Sequence, residues 1–375
     1  MSEMQEALKR LVQPWHKALK DPKQAQEETL QRLLAIYART EYGAQHGTGK
    51  ISSIEEYRLA FPIMTYPDYK PIIEQVMRGH YQALLTEPPL GWAMTRGTSG
   101  QPKYIPMTEL DMQYRGLCGA RGVLNYVLRT GRFHILEGYC LNTTFPSVVG
   151  TLKAGDREIT YGYTSGLYAK YSEARTPVKL VPKQDEIDAL GAGLSEQDWE
   201  RRFELTYQRA RGKPVTMLVG VTQTMLQFGR FLRKRHGLYP KEVWQMDLLS
   251  PSSVAGIQYK YRPALKALYG QVDIVEIYGA TEGTFSQQLD EKPCVVPNYD
   301  VFFLEVETRQ GVKMLYDLRP GEYGSLVVST PTLPRYKIGD VILSFGSNYF
   351  RCIGREKPLA YLRYLWDRLW NWEPG

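Results

Sequence analysis

The chain has 375 residues and a mass of 43.1 kDa, with a formal net charge of +7 and a sequence pI of about 9.0. Its 43% hydrophobic and 23% charged residues exclude a disordered chain and a collagen-like fibre. No apolar run approaches the roughly 18 residues that a membrane span needs, and the first ten residues lack the apolar segment of a secretory signal. The four cysteines form no CxxC pair, which argues against a zinc site or a disulfide framework and indicates a cytoplasmic protein.

The first quarter of the chain predicts mainly helices. Apolar residues recur every three or four positions through the first forty residues. Ser53 precedes Glu56 by three residues, a capping-box pattern for a short helix that Pro62 ends. A further helix is predicted over 72–77, and a strand over 91–95 leads into a turn rich in glycine and hydroxyl residues.

The rest of the chain predicts a mixed α/β body that ends in a small β-rich section. Helical periodicity covers 113–128, 199–210 and 224–235. Strands are predicted over 215–219, 272–277, 301–306, 324–329, 340–344 and 349–353, with a hairpin turn at 346–348.

The most informative local pattern is Thr95-Arg-Gly-Thr-Ser-Gly-Gln-Pro-Lys103. Glycines let backbone N–H groups approach a phosphate, hydroxyls donate hydrogen bonds to it, and the lysine supplies positive charge. A Walker loop is excluded, because Pro102 precedes the lysine and Tyr104 follows it. Taken alone, the pattern predicts either a phosphate-binding loop or a plain Gly/Ser turn.

Two later segments carry side chains suited to the rest of a nucleotide. Tyr278 follows a β-branched strand and suits stacking on a flat base, and Thr281 with Glu282 offers oxygen ligands to Mg²⁺. Asp340 follows a glycine, and its carboxylate can accept two hydrogen bonds from a ribose diol. Each segment alone is equally well explained as a structural turn.

Four motifs in this order resemble the adenylate-forming superfamily of acyl-CoA synthetases, luciferases and peptide-synthetase adenylation domains. They are Thr95–Lys103, Tyr278–Glu282, Tyr336–Asp340 and Gly354-Arg355. Within the superfamily, the chain is most similar to the auxin-responsive acyl acid–amido synthetases and their bacterial relatives. That similarity rests on 40–43, 46–47, 61–66, 104–106, 161–166, 296–298 and 302–305, and the resemblance covers about residues 25–356. It implies an α/β fold: a large adenylation-type N-terminal domain of stacked α/β sheets with a small β-rich section.

The resemblance also implies the chemistry, which is ATP-dependent activation of a carboxylic acid as an acyl-adenylate with release of pyrophosphate. An amine or thiol acceptor then takes the acyl group. The implied phosphate-facing residues are Thr95, Thr98, Ser99, Gly100 and Lys103. The implied residues around the base, α-phosphate and ribose are Tyr278, Gly279, Thr281, Asp340 and Arg355, with Glu282 on Mg²⁺. Lys103, Thr281 and Glu282 are the implied catalytic residues, and Tyr163, Thr164, Val221 and Thr222 are the predicted acyl pocket.

The sequence departs from the family pattern at two places. Arg96 stands where the family has a small residue, and it is expected either to contact an ATP phosphate or to block the pocket. The family continues into a C-terminal lid domain, whereas 20 residues follow Arg355 here (375 − 355). We therefore expect an adenylate-forming domain over 1–355, no lid domain, and a hinge remnant with an amphipathic helix over 356–375.

The terminal helix carries an apolar stripe formed by Leu359, Leu362, Leu365, Trp366, Leu369 and Trp370. The stripe predicts packing onto the body of the chain, with a protein partner and a membrane surface as alternatives. For the whole chain, the alternative to an enzyme is a nucleotide- or acyl-binding relative without turnover. Nucleic-acid binding is not predicted, because the basic cluster at 230–236 has no interleaved aromatic residues arranged for stacking on bases.

Overall fold

The helices of this computed structural model form where apolar residues recur at intervals of three and four. The structure describes residues 3–95, 102–154 and 157–370. Its α-helices are α1 (Glu3–Lys20), α2 (Pro22–Tyr37), α3 (Glu41–Gln45), α4 (Ile54–Ala60), α5 (Tyr66–Met77), α6 (Glu109–Thr130), α7 (Thr164–Arg175), α8 (Gln184–Asp188), α9 (Glu196–Ala210), α10 (Thr222–His236), α11 (Pro240–Val243), α12 (Arg262–Tyr269) and α13 (Ala360–Trp370). The helices predicted over the first forty residues and over 113–128, 199–210 and 224–235 are confirmed.

The strands begin near residue 91 and become dense after residue 270. They are β1 (Gly91–Thr95), β2 (Lys103–Met107), β3 (Tyr139–Leu141), β4 (Gly150–Ala154), β5 (Arg157–Tyr163), β6 (Lys179–Val181), β7 (Val215–Val221), β8 (Leu248–Ser252), β9 (Asp273–Ile274), β10 (Ile277–Ala280), β11 (Gly283–Gln287), β12 (Val296–Pro297), β13 (Phe303–Thr308), β14 (Gly311–Met314), β15 (Tyr323–Ser329), β16 (Tyr336–Gly346) and β17 (Tyr349–Arg355).

In the described part of the chain these strands form four sheets. A parallel sheet has the order β6-β3-β7-β8-β9, and an antiparallel sheet has the order β14-β13-β15-β16-β17. Two smaller sheets have the orders β2-β1-β5-β4 and β10-β11-β12. The predicted α/β body with a β-rich final section is therefore confirmed.

The strand predicted over 340–344 is confirmed and is longer than predicted, and the predicted Gly-bounded turn lies after Tyr278, at Thr281 and Glu282. Tyr278 and Gly279 belong to β10, which pairs with β11 as a hairpin whose turn is formed by Thr281 and Glu282. Asp340 lies inside the eleven-residue strand β16, opposite Arg355 of β17. The glycine that suggested a turn, Gly339, does have a positive φ of 85°, but the strand pairing continues past it.

A buried ion-pair network ties the N-terminal helices to the large antiparallel sheet. Arg335 donates from Nε to Glu305 Oε2 at 2.8 Å and from Nη1 to the Phe61 carbonyl at 2.6 Å. Arg58 donates to the other oxygen of the same carboxylate at 2.8 Å. Glu305 is fully buried, so these cations compensate the cost of removing its charge from water. The network fixes α4 against the sheet that carries Asp340.

The C-terminal helix α13 packs onto the body through a face that the sequence pattern did not predict. Tyr364 is 5% exposed and accepts a hydrogen bond from Arg351 Nη1 at 3.0 Å, and the Tyr361 ring stacks on Tyr323 at 4.7 Å. By contrast, Leu362 is 56% exposed and Leu369 is 76% exposed. The expectation that the leucine stripe packs inward is therefore wrong. Tyr361 and Tyr364 place the helix, because the Tyr361 ring stacks on Tyr323 of β15 and the Tyr364 ring contacts Tyr259 of the short helical segment Ile257–Tyr261.

Across the described ranges, no helix combines the length and apolar character required to cross a lipid bilayer. Cys118, Cys140, Cys294 and Cys352 are buried free thiols.

Candidate functional site

The carboxyl ends of the parallel strands open onto a large cleft. Parallel strands place their following residues at one edge of the sheet, where ligands of open α/β folds bind. Asn142 follows β3, Val221 ends β7, Ser253 follows β8 and Glu276 follows β9, and all four line the cleft. The cleft has a volume of about 1210 Å³, which exceeds the roughly 300–1,000 Å³ of most small-molecule sites.

The three predicted nucleotide-binding segments meet at this cleft, although they are far apart in sequence. Thr95, Lys103, Tyr278, Glu282 and Asp340 all line it, together with Gly279, Thr281 and Arg355. Arg96, Thr98, Ser99 and Gly100 lie outside the described residues. The structure thus brings the two ends of the glycine-rich segment, Thr95 and Lys103, to the same cleft as the segments that carry Tyr278 and Asp340.

Thr95 and Lys103 face each other across the antiparallel pair β1–β2. The pairing holds the two ends of the glycine-rich segment side by side at the cleft. The Lys103 ammonium lies 5.5 Å from the centre of the Tyr66 ring, and the Tyr66 hydroxyl accepts a hydrogen bond from the Tyr104 backbone N–H at 2.9 Å. Tyr66 therefore faces Lys103 with its ring and holds the backbone of the next residue, Tyr104, with its hydroxyl.

Asp340 is held from two sides by groups that fix its carboxylate. The Tyr278 hydroxyl donates to Oδ2 at 3.0 Å, and Arg355 Nη1 donates to Oδ1 at 2.7 Å. Tyr278 is almost fully buried, and burial together with the neighbouring Asp340 charge raises its pKa well above the usual value. Tyr278 is thus a neutral donor over the whole working pH range, and Asp340 keeps lone pairs for further hydrogen bonds.

Glu282 is a buried carboxylate at the turn of the β10–β11 hairpin. It is 5% exposed, and burial raises its pKa, while a hydrogen bond from Tyr336 and the charge of Lys103 act in the opposite direction. Gly279 makes the hairpin possible, because a Cβ there would lie 2.7 Å from the Gly283 carbonyl oxygen. The close return of the chain brings Glu282 into the electrostatic range of Lys103.

Three of the four residues predicted for the acyl pocket lie at the cleft. Tyr163, Thr164 and Val221 line the cleft. Thr222 does not, because its side chain is fully buried and its hydroxyl donates to the Ser252 carbonyl at 2.7 Å. Thr222 begins helix α10, so its side chain lies behind the cleft wall.

Two charged residues of the cleft were missed by sequence reasoning. Glu276 is 6% exposed, and burial raises its pKa to about 7, with Arg351 acting in the opposite direction. Arg115 is 2% exposed and pairs with Asp111 four residues earlier on α6. An Asp–Arg pair at helical spacing usually indicates an exposed ion pair, so no local signal in the sequence pointed to the burial of Arg115.

Residues 12–187 match the family model described as the GH3 family N-terminal domain. Over 148 residues the chain is 29% identical to the jasmonoyl–L-amino acid synthetase JAR4 of Nicotiana attenuata. The aligned segment covers 39% of this chain and 25% of that protein. Over 100 residues it is 29% identical to the indole-3-acetic acid-amido synthetase GH3.2 of Arabidopsis thaliana, covering 26% of this chain and 18% of that protein. The matched segment therefore spans at most about a quarter of the length of these two relatives.

The fold is shared with solved structures at low sequence identity. A structure of the AtGH3.15 acyl acid amido synthetase in complex with 2,4-DB superposes with a TM-score of 0.74 at 16% identity, covering 94% of this chain and 71% of that one. The 2-hydroxyisobutyryl-CoA ligase in complex with 2-HIB-AMP and CoA gives a TM-score of 0.62 at 14% identity, with 90% and 69% covered. The resemblance and the fold class predicted from the motifs are confirmed. Residues 12–187 are thus similar to the GH3 family N-terminal domain, and the chain shares its fold with the solved acyl acid amido synthetase and CoA ligase structures.

Proposed function

We propose that the chain is an adenylate-forming ligase that uses ATP to activate a carboxylic acid as its acyl-adenylate. One observation carries the proposal: Lys103, Tyr278, Glu282 and Asp340 come from three distant segments and line one cleft. The GH3 domain match and the relatives named as amido synthetases support the same reaction class.

The cleft offers each part of ATP a suitable partner. The Asp340 carboxylate, oriented by Tyr278 and Arg355, accepts hydrogen bonds from the ribose hydroxyls, and Tyr278 with Gly279 borders the base. Thr95 and Lys103 receive the phosphates, and Arg96, Thr98, Ser99 and Gly100 complete that set in the proposal. Thr281 lies next to Glu282 and serves the α-phosphate.

In the proposed reaction, a carboxylate oxygen of the acid attacks the α-phosphorus, and the bond from that phosphorus to the bridging oxygen breaks. Pyrophosphate leaves with the bonding electrons. A carboxylate needs no general base, so the protein contributes alignment and positive charge near the phosphates. Lys103 provides this charge from a position beside the Tyr66 ring.

Glu282 suits a Mg²⁺ ion that is held mainly by substrate phosphates. Mg²⁺ in such sites takes one or two protein carboxylates, and the phosphates and waters supply the rest. Among the described residues, no group of three or more His, Cys, Asp or Glu residues that could hold a metal ion is found. When bound, the ion would neutralise phosphate charge, and Glu282 with Thr281 would hold it.

The acceptor in the second step is proposed to be an amine, with a thiol as the alternative. The GH3 domain and the amino acid synthetases favour the amine, whereas the 2-hydroxyisobutyryl-CoA ligase structure contains CoA. A single-turnover reaction with preformed acyl-adenylate, offered an amino acid panel or CoA, distinguishes the two by the product formed. We further propose a cytoplasmic location, which four free thiols would suit.

A protein partner at α13 stays a prediction. The α13 face with Leu362 and Leu369 is exposed and so available for contact. Co-purification of a small protein that is lost when Trp366 and Trp370 are replaced by alanine would support it.

ATP–pyrophosphate exchange with a panel of carboxylic acids tests the proposed reaction. Lys103→Ala and Glu282→Ala are expected to abolish the exchange, since each removes a group that serves the phosphates. The matched controls are Lys153→Ala and Glu158→Gln, at exposed positions of the β4–β5 hairpin away from the cleft. Tight ATP binding by folded protein without pyrophosphate release would contradict the ligase and favour a binding protein without turnover.

A further inference from the structure

A second cavity lies outside the cleft, in a groove between the helices α9 and α10. Its volume is about 670 Å³, within the roughly 300–1,000 Å³ that is usual for small-molecule sites. The residues that line this α9–α10 groove include Trp199 and Phe203 of α9 and Gln227, Arg230 and Phe231 of α10. None of these five lines the cleft, and the proposed adenylation uses none of them.

The apolar surface of the α9–α10 groove is aromatic. Phe203 and Phe231 are buried, with their ring centres 5.8 Å apart. The half-buried Trp199 ring lies 5.3 Å from Phe203, and the Phe145 ring meets it edge-on at 4.8 Å. Aromatic rings bind another flat ring through a large buried area and through offset or edge contacts. The apolar part of a ligand suited to this groove is therefore a planar ring.

The charged residues of the groove leave one cation without a partner. The Lys234 ammonium lies 3.7 Å from Glu200 and 4.0 Å from Glu196, so both acids of the groove face this one lysine. Arg230, one turn earlier on α10, is exposed and forms no ion pair within the part of the chain that the structure describes. A guanidinium binds the oxygens of a carboxylate, sulfonate or phosphate through two parallel hydrogen bonds. An anionic group on the ligand would give Arg230 this partner.

Helix packing places Arg230 beside the aromatic surface. The Glu196–Lys234 ion pair and the Phe203–Phe228 ring contact show that α9 and α10 run in opposite directions. Because Arg230 lies between the two α10 residues of these contacts, it faces the stretch of α9 that carries the indole ring. One small molecule can therefore contact the rings and the guanidinium together.

A buried cation adds positive potential at the same indole. The Arg202 guanidinium carbon lies 5.2 Å from the centre of the Trp199 ring, and the residue is 2% exposed. Its Nη2 donates to the Gly191 and Gly193 carbonyls at 2.6 Å, whereas Nε and Nη1 have no hydrogen-bond partner among the residues described. Charge acts over longer distances in a protein interior than in water, so Arg202 favours an anion in the groove.

The α9–α10 groove and the cleft share part of their walls. Phe145 and Val221 line both cavities. The Phe145 ring centre lies 5.1 Å from that of Tyr163, which lines the cleft. Close-packed side chains transmit a displacement to their neighbours. A ligand that presses on Phe145 from the groove therefore narrows the cleft beside Tyr163.

We propose that the α9–α10 groove is an effector site for a small planar aromatic anion, and that its occupation weakens binding of the acid in the cleft. The ring of the effector lies against Trp199 and Phe203, and its anionic group binds Arg230. Binding of the effector is independent of the proposed adenylation. Only its effect on the acid rests on that function.

Calorimetric titration with 2-naphthalenesulfonate and with the neutral 2-naphthalenemethanol tests the site. The sulfonate carries the ring and the charge but has no carboxyl group, so it is not a substrate of the proposed reaction. Wild-type protein is expected to prefer the sulfonate by about tenfold or more, because a charged hydrogen bond is lost with the alcohol. Arg230→Met is expected to remove this preference, and Arg230→Lys to restore part of it. Arg235→Met, an equal charge change at an exposed position of α10 outside the groove, is the matched control.

Filling the groove tests the position of the ring. Gln227→Trp places a large side chain in the groove from an exposed position of α10 and is expected to weaken both ligands by about tenfold or more. Gln208→Trp, at an exposed position of α9 outside the groove, is the control for the same substitution and is expected to leave both affinities unchanged.

ATP–pyrophosphate exchange tests the coupling to the cleft. With a subsaturating concentration of the most active acid, saturating 2-naphthalenesulfonate is expected to slow exchange about fivefold or more in the wild type and to have no effect in Arg230→Met. Unchanged exchange in the wild type would overturn the effector role.

Three results of the titration would overturn the site itself. They are absence of binding, equal affinity for the sulfonate and the alcohol, and an equal loss in Arg230→Met and Arg235→Met. Absence of exchange with every acid contradicts the ligase and the effector role, whereas the titration still decides whether the groove binds an aromatic anion.

Discussion

The nucleotide end of the cleft and the C-terminal helix differ in how their side chains are placed. At the nucleotide end, Asp340 and Arg355 face each other on the paired strands β16 and β17, and the Tyr278 hydroxyl contacts Asp340 from the separate β10–β11 hairpin. Helix α13 is placed by Tyr361 and Tyr364 and leaves its leucines exposed. The comparison shows that a sequence motif can identify the residues of a cleft even where the secondary structure around them is predicted wrongly. An amphipathic pattern predicts a helix but does not say which face of the helix packs against the body.

The largest expected effect is at the nucleotide end. Asp340→Ala is expected to weaken ATP binding by about a hundred- to a thousandfold, since two hydrogen bonds from the ribose to a charged acceptor are lost. Equilibrium titration with ATP measures this effect, with Asp185→Ala at a largely exposed helical position as control. An ATP affinity of the variant within threefold of wild type would contradict ribose binding by Asp340, because the residue would then have only a structural role.

The next effect concerns α13. Tyr364→Ala is expected to lower the free energy of unfolding by about 2–4 kcal/mol, because it removes a buried ring and the acceptor for Arg351. Leu362→Ala on the exposed face is expected to change it by less than about 0.5 kcal/mol. Urea denaturation of both variants checks the contrast. A larger loss for Leu362→Ala would show that the leucine face is the packed one.

A pH-dependent effect distinguishes Glu276 from the exposed acids. Burial raises the pKa of its carboxyl from the ordinary 4.5 to about 7, so between these values the folded protein holds a proton that the unfolded chain has lost. The free energy of unfolding therefore falls as pH rises through this window. The contribution of Glu276 to that fall is about 2–3 kcal/mol.

Glu276→Gln has no such proton to lose. Subtracting its unfolding free energy from that of the wild type at pH 5, 6, 7 and 8 isolates the contribution of Glu276. The difference is expected to become more unfavourable for the wild type with rising pH and to level off above about 7. A flat difference would contradict a buried, protonated Glu276.

The smallest effect is expected at the Lys337–Glu356 ion pair, which precedes α13. The two atoms lie 2.9 Å apart, but Glu356 is about half exposed. Glu356→Ala is expected to lower the free energy of unfolding by less than about 1 kcal/mol, because water screens such pairs. A loss comparable to that of Tyr364→Ala would mean that the ion pair, and not the tyrosines, holds the helix.

Sequence reasoning predicted the cleft residues better than their local structure. Tyr278 was predicted in a Gly-bounded turn, yet it lies in β10 and the turn is formed by Thr281 and Glu282. Asp340 was predicted at the start of a strand that in fact begins at Tyr336. Their identity and order were enough to place them at one site.

Other features depend on contacts between distant segments and left no local signal. Thr222 looked like a pocket residue, but its hydroxyl is used by the Ser252 carbonyl. Arg115 looked like half of a helix-surface ion pair, because burial of α6 depends on α7 and β11, which follow it in the chain. The face of α13 was decided by tyrosines on the helix and on the body, which a stripe of leucines does not reveal.

A structure of the protein with a non-hydrolysable ATP analogue and Mg²⁺ would locate the nucleotide. We expect the base beside Tyr278, the ribose hydroxyls on the Asp340 carboxylate and the phosphates towards Lys103. A nucleotide bound elsewhere, or a cleft that stays empty at saturating analogue while the protein is folded, would contradict it.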